Sequence, residues 1–139
     1  MTYRICKIFE VESGHMLSKH KGSCKFPHGH SRKIEVVLES DKLDENDMII
    51  DFKRVKEVIK PLVEIYDHSI CLNSNDSIYD ILKNRYGDRV ITFENQDPTS
   101  EVMAKKVFDV IKANFSSNGV KIRSVRIWET SSAWAEYSE

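Results

Sequence analysis

The chain predicts an α+β fold, a four-stranded antiparallel sheet with two helices on one face, and three observations carry that reading. Both ends of the sequence alternate polar and apolar residues with the period of two expected of half-buried strands. The middle carries apolar stripes at helical spacing behind recognisable caps. A length of 139 residues supplies one core and little room for a second, so residues 1–139 read as a single domain.

Each element follows from its own residues. Tyr3 to Gly14 alternates well enough for a first strand, closed by His15. Ser31 to Ser40 reads as a second strand, with Ile34, Val36 and Leu38 on one face and Lys33, Glu35 and Glu39 largely on the other. Asp41 to Asp47 is a polar turn region. Asp51 suits an N-cap for a helix running through Phe52, Val55, Val58, Ile59, Leu62 and Ile65 to about Tyr66, with Pro61 as a kink or a late turn. Asn73 to Gln96 is a looser insert in which Ser77 caps a short helix stopped by Gly87, followed by a short strand from Val90 to Phe93. Asp97-Pro98-Thr99-Ser100-Glu101 is a helix start with Pro98 in the first turn, and Ala104, Phe108, Ile111 and Phe115 mark the buried stripe. Strands from Val120 to Trp128 and from Ala133 to Tyr137 complete the chain. Two helices cover one face of such a sheet. The other face, expected to carry Val37, Val125 and Ile127, calls for self-association as its cover.

Bulk properties exclude several classes. Hydrophobic residues make up 40% and charged residues 31%, a globular balance. No apolar run approaches the roughly 18 residues of a membrane span, and the N-terminus lacks a signal-peptide pattern, so the expected location is the cytoplasm. Three cysteines, Cys6, Cys24 and Cys71, form an odd set without framework spacing and read as reduced thiols, Cys6 and Cys71 as small core residues. A net charge of −1 gives no nucleic-acid footprint. Between Ser13 and Ile34, however, there is no acidic residue, while Lys19, Lys21, Lys25, Arg32 and Lys33 fall there. Such a loop either favours an anionic, phosphate-bearing substrate or is simply solvated.

That basic window holds Cys24-Lys25-Phe26-Pro27-His28-Gly29-His30. In an extended backbone His28 and His30 point to the same side and can share a metal. If the first strand pairs antiparallel with the strand after His30, His15 lies at the same end. Three neutral imidazoles with an open fourth position are the arrangement of a catalytic zinc rather than a structural one. Cys24 is then either a further ligand or a nucleophile or base beside the metal. His20 reads as a loop residue, the substitute ligand if His15 does not bind.

These motifs, together with Asp51-Phe52 at a helix start, Asp67-His68 before Leu72-Asn73, Pro98-Thr99-Ser100-Glu101 and Trp128-Glu129-Thr130, are arranged as in a known family. The chain resembles the 6-pyruvoyl-tetrahydropterin synthase and 6-carboxytetrahydropterin synthase family over nearly its whole length. The resemblance implies the tunnelling fold (T-fold), in which sheets of several subunits join into an oligomeric barrel, commonly a hexamer built from two trimers, or a trimer. It implies zinc (Zn2+) on His15, His28 and His30, and a pterin triphosphate such as 7,8-dihydroneopterin triphosphate as substrate, with the site between subunits. Cys24 is then the proton acceptor, His68 a relay and Asp67 its orienting partner. Asp67 and His68 are adjacent, so a turn is required for their side chains to meet. Glu129 matches the family's acidic anchor for the pterin, where a carboxylate accepts two hydrogen bonds, or it belongs to the relay. Thr99 and Glu101, and more weakly Ser100, line the pterin pocket.

Each of these residues also has a plainer reading. Asp67-His68 can terminate a helix, Thr99 to Glu101 can serve only as a cap, and Glu129 can face solvent. Phe26 either packs on the pterin or shapes the loop. The stretch from Asn73 to Pro98 is longer than the connection expected in compact bacterial members of the family. The leading expectation is a lyase making 6-carboxytetrahydropterin in the queuosine pathway, with loss of triphosphate and a two-carbon aldehyde. The pyruvoyl synthase reaction is the alternative. A non-catalytic zinc-stabilised module in which Cys24 closes a four-ligand site is the reading from another class.

Overall fold

The computed structural model describes residues 1–115 and 117–139. Its elements are β1 (Tyr3–His15), β2 (His28–Ser40), α1 (Phe52–Val63), β3 (Ser69–Asn73), α2 (Tyr79–Tyr86), β4 (Val90–Phe93), α3 (Ser100–Asn114), β5 (Lys121–Thr130) and β6 (Ala133–Ser138). The α+β class is as expected, but among the described residues the sheet has six strands, not four, in the order β4-β3-β1-β2-β5-β6. It is also mixed: β1, β2, β5 and β6 pair antiparallel, whereas β3 runs parallel to β1 and β4 parallel to β3.

The missing strand has a physical explanation. Four of the five residues of β3 are buried, with Ile70 partly so, and a parallel strand covered on both faces shows no polar alternation to detect. Once β3 is in place, Val90 to Phe93 has a partner, Ile70 facing Val90 through Asn73 facing Phe93.

α1 starts where expected, the Asp51 carboxylate accepting from the Lys53 amide at 2.8 Å, and its α-helical part ends at Val63 before a 3-10 turn to Tyr66. Pro61 lies in the last turn, and the helix winds down soon after it, since a ring nitrogen has no proton to donate. α3 begins later than its sequence suggests: Thr99 is the N-cap, its hydroxyl accepting from the Val102 amide at 3.2 Å, so Pro98 precedes the helix rather than forming its first turn. Ser77 does not cap α2, which starts at Tyr79 without a side-chain cap, although Gly87 ends it with φ +55 as only glycine does readily.

α1 and α3 lie on one face, α1 against β1 and α3 against β5 and β6. Phe9, Val11, Ile34, Val36 and Leu38 meet Ile59, Val63, Phe108 and Ile111 in the core. Val125 and Ile127 belong to this covered face and are fully buried, because they stand opposite Val36 and Ile34 in the β2–β5 register. The expected placement on the open face holds only for Val37, which is half-buried. Cys71 is buried as expected, but Cys6 is not a core residue and sits exposed on the open face. That face also carries Ile8, 45% exposed, and the edge strand displays Trp134, 46% exposed.

Candidate metal centre and active site

The β1–β2 hairpin builds the site. His15 stands directly opposite His28, and His30 opposite Ser13, so alternation turns all three imidazoles to the covered face at the end of the sheet. Their ring centroids lie 4.5, 5.1 and 5.2 Å apart. One nitrogen from each comes within 4.8 Å of the others, a cluster able to hold a metal ion. The glycines between them keep the strands close: a Cβ on Gly14 would sit 3.3 Å from the His28 carbonyl oxygen.

Backbone carbonyls orient the rings. The Nδ1–H of His28 donates to Phe26 O at 2.8 Å, and that of His15 donates to Pro98 O at 2.8 Å. A carbonyl can only accept, so in both rings the proton is on Nδ1 and the Nε2 lone pair is free, the arrangement by which outer-shell partners set ligand tautomers. The Arg32 guanidinium also comes within 3.0 Å of His15 Nδ1. With that nitrogen already protonated, Arg32 acts there as a nearby charge and not as a donor.

Electrostatics favour the unprotonated imidazoles. Burial lowers the pKa of His15 to about 4, assisted by Arg32 and His28 and opposed by the Pro98 bond. Burial, followed by Arg32, also lowers that of His30. Glu129 Oε1 lies 3.5 Å from His15 Nε2 and 3.4 Å from His30 Nε2. Held neutral, these contacts are not ion pairs. Among the described residues, the Nε2 atoms of His15 and His30 are buried and have no hydrogen-bond partner. Lone pairs and a carboxylate oxygen converging with no proton between them fit a divalent cation, and three imidazoles suit zinc among other ions.

Glu129 arrives there by the same alternation: two residues beyond Ile127, it turns to the covered face, at the point where the β5–β6 register slips between Trp128 and Thr130. Beyond the Lys33–Trp128 pair, β5 no longer follows β2. A cavity of about 610 Å³ opens in the gap, lined among others by His30, Lys33, Glu35, Trp128, Glu129 and Thr130.

The other expected residues are dispersed. Cys24 lies half-buried in a 3-10 turn, its carbonyl accepting from Leu17 N at 3.0 Å, and is not a member of the imidazole cluster. His20 is a loop residue whose Nδ1 accepts from Gly22 N at 2.8 Å. Asp67 and His68 form a dyad, Nδ1 to Oδ2 at 3.0 Å, through the turn their adjacency requires: His68 has φ +56. Asp67 also accepts from Glu12 N at 2.8 Å, and these bonds lower its pKa. Glu101 lines a separate groove with Phe93, Gln96 and Tyr137, and Thr99 is occupied as the α3 cap. Phe26 is 59% exposed, free of the core.

Two residues escape a sequence reading. Arg32 is not part of a solvated basic loop: it is 1% exposed, donates to Ser100 Oγ at 3.2 Å and stands behind His15. Asp97 ties the loop after β1 and the end of β3 to the start of α3, accepting from Ser18 Oγ at 2.6 Å, Lys19 N at 2.8 Å and Asn73 Nδ2 at 3.0 Å. Burial alone would raise its pKa; these bonds outweigh that and lower it. Asp97 thereby holds the neighbouring Pro98 carbonyl against His15. Lysines and arginine look alike in a charge count, and a helix-start aspartate looks like a cap, so neither residue carries a local signal.

Comparison with known proteins agrees with this architecture. A protein of Aquifex aeolicus (strain VF5) named 6-carboxy-5,6,7,8-tetrahydropterin synthase is 35% identical over 161 residues, covering 100% of this chain and 99% of that protein. One of Pyrococcus horikoshii named putative 6-carboxy-5,6,7,8-tetrahydropterin synthase is 33% identical over 138 residues, covering 91% and 84%. The fold recurs in a crystal structure of an uncharacterized protein from Wolinella succinogenes, with TM-score 0.85 and 20% identity, covering 100% of this chain and 99% of that one. It recurs also in 6-pyruvoyl tetrahydropterin synthase from Plasmodium vivax, with TM-score 0.78 and 13% identity, covering 100% and 98%. The expected tunnelling-fold subunit is therefore present, with six strands. Since the family model described as 6-pyruvoyl tetrahydropterin synthase matches residues 4–139, the chain belongs to that family.

Proposed function

We propose that this chain is a zinc-dependent pterin lyase converting 7,8-dihydroneopterin triphosphate to 6-carboxy-5,6,7,8-tetrahydropterin, a step of queuosine biosynthesis. The carrying observation is the convergence of the His15, His28 and His30 ligand nitrogens, two of them buried with no partner among the described residues, in a chain whose relatives bear that synthase name. Residues 1–139 act as one domain, in the cytoplasm, on a small-molecule pterin, without nucleic acid or membrane.

Zinc bound at the imidazoles supplies Lewis-acid polarisation of the substrate's side-chain hydroxyls. The remaining work belongs to the chain. Cys24 accepts the proton released from the substrate side chain and returns it later. His68 passes protons on, with its Nδ1 held by Asp67 so that Nε2 faces outward for exchange. Glu129 anchors the pterin, its carboxylate accepting from the 2-amino group and a ring nitrogen while sitting beside the imidazoles. Glu101 contributes to the pterin pocket from another copy, since in one chain it lines a groove separate from the Glu129 cavity, and Thr99 contributes from its place next to Pro98. A homo-oligomer, a hexamer of two trimers or a trimer, completes the site and covers the open sheet face.

Incubation of the zinc-loaded protein with 7,8-dihydroneopterin triphosphate, followed by mass analysis of the pterin, tests the reading. The carboxy product is expected, having lost two side-chain carbons. A pterin retaining them identifies the pyruvoyl reaction, favoured by the family model's own description, and neither product sinks both. Cys24→Ala separates catalysis from a structural site: zinc retained with activity reduced about 10²- to 10⁴-fold supports the acid/base role. Zinc lost with the thiol supports the closed module instead.

A further inference from the structure

The proton-relay reading of Asp67 and His68 leaves the long segment between β3 and α3 without a task, yet that segment delivers a cation to the dyad. β4 lies parallel to β3 with Val90 facing Ile70, which puts Arg89 level with the start of β3. The NH1 nitrogen of Arg89 lies 3.4 Å from the His68 carbonyl oxygen and 3.5 Å from that of Asp67. It carries two protons, one for each carbonyl. Tyr86 and Arg89 face Asp67, His68, Ser69 and Ile70 across a cleft of about 600 Å³.

The turn itself needs holding. His68 takes φ +56, a left-handed conformation that a residue with a side chain adopts only when its surroundings impose it. On the β1 side the imposing bonds are His68 N to Glu12 O at 2.6 Å and Glu12 N to the Asp67 carboxylate at 2.8 Å. Those bonds fix the amide of His68 and the side chain of Asp67 but leave both carbonyls free. Arg89 is the group that meets the carbonyls.

We propose that Arg89 is a positioning residue: delivered by the segment from α2 to β4, it clamps the carbonyls of Asp67 and His68 and fixes the turn that aims the His68 imidazole at Asp67. The inference rests on the relay reading of the dyad. Its charge also helps keep the Asp67 carboxyl ionised, behind the larger effects of the Glu12 and His68 bonds.

The test compares wild type, Arg89→Ala and Arg89→Lys as full-length, zinc-loaded protein. For Arg89→Ala, kcat is expected to fall about tenfold, the scale on which small misplacements of catalytic groups act, while KM stays within about twofold. Zinc content and thermal midpoint stay at wild-type values, and the His68 ring resonances, assigned by their loss in His68→Gln, are displaced. Arg89→Lys, which still offers protons to both carbonyls, restores most of kcat and returns the resonances. Wild-type kcat in Arg89→Ala overturns the proposal. So does a fall in kcat with unmoved His68 resonances, which assigns Arg89 to substrate contact. A lowered thermal midpoint that Arg89→Lys does not restore overturns it too, assigning Arg89 to folding. If wild type forms no pterin product, the proposed function fails, and the resonances alone decide: displaced in Arg89→Ala supports the clamp, unmoved overturns it.

Discussion

The imidazole cluster and the Asp67-His68 dyad are held by opposite means. His15 is fully buried, its Nδ1 held by the Pro98 carbonyl, and burial sets its protonation. The His68 side chain is 71% exposed, and its position depends on a left-handed turn and a few surface hydrogen bonds. In the proposed roles the difference has a purpose: a metal ligand must not move, and packing supplies that rigidity, whereas a proton relay must reach solvent or substrate, and the backbone imposes its geometry instead.

That contrast can be broken at its strongest point first. His15→Ala removes a ligand and opens a buried hole; zinc content is expected to fall to background and pterin turnover with it, by metal analysis and product assay. Zinc at wild-type stoichiometry in this variant would mean that the cluster is not the metal site. On the exposed side, His68→Gln is expected to keep zinc and its thermal midpoint while activity drops about 10²-fold or more. A variant that lost zinc would erase the distinction between the two regions.

Protonation sharpens the comparison. The His15 pKa is lowered from 6.5 in the free side chain to about 4 in the fold. Between those values the unfolded chain binds the extra proton, so in metal-free protein this group makes stability fall as pH drops from 6.5, with nothing further lost below about 4. The loss is on the order of 3 kcal/mol. Urea unfolding of metal-free protein across that range measures it, and His15→Gln is expected to remove this part of the slope. Smaller still is the effect of Asp97→Ala, which releases the Pro98 carbonyl indirectly. Zinc affinity is expected to weaken about 10- to 100-fold, as for other outer-shell losses, measured by competition with a chelator. An unchanged affinity would place His15 under the control of packing alone.

Legibility from sequence follows the same divide. The clustered histidines could be read because strand alternation is a local rule: a spacing of two puts His28 and His30 on one side whatever lies around them. The cap of Asp51 and the stop at Gly87 are local in the same way, whereas the start of α3 reads two residues early because Asp97 has the same local look as the true cap, Thr99. β3 was hidden because a strand buried on both faces presents only an apolar run. Arg32 was hidden because its burial depends on Ser100, 68 residues away. The tasks of Asp97 and the Pro98 carbonyl depend on partners 79 and 83 residues distant, and a backbone oxygen has no letter in the sequence. Glu129 was found by motif, but its approach to the imidazoles comes from the long-range pairing of β5 with β2, which motifs do not encode.

The pairing of Gly14 with Gly29 places two residues without side chains directly opposite each other, immediately behind the imidazoles. On the open face the sheet therefore has a bare patch of peptide, bordered by the Ser31 hydroxyl bonded to the Glu12 carboxylate. Only the thickness of the backbone separates that patch from the cluster. Whatever lies against it approaches the histidines from behind more closely than it can approach any other point of the sheet where side chains intervene. A substitution at Gly14 would thus thicken the wall and push on the His28 carbonyl in the same stroke.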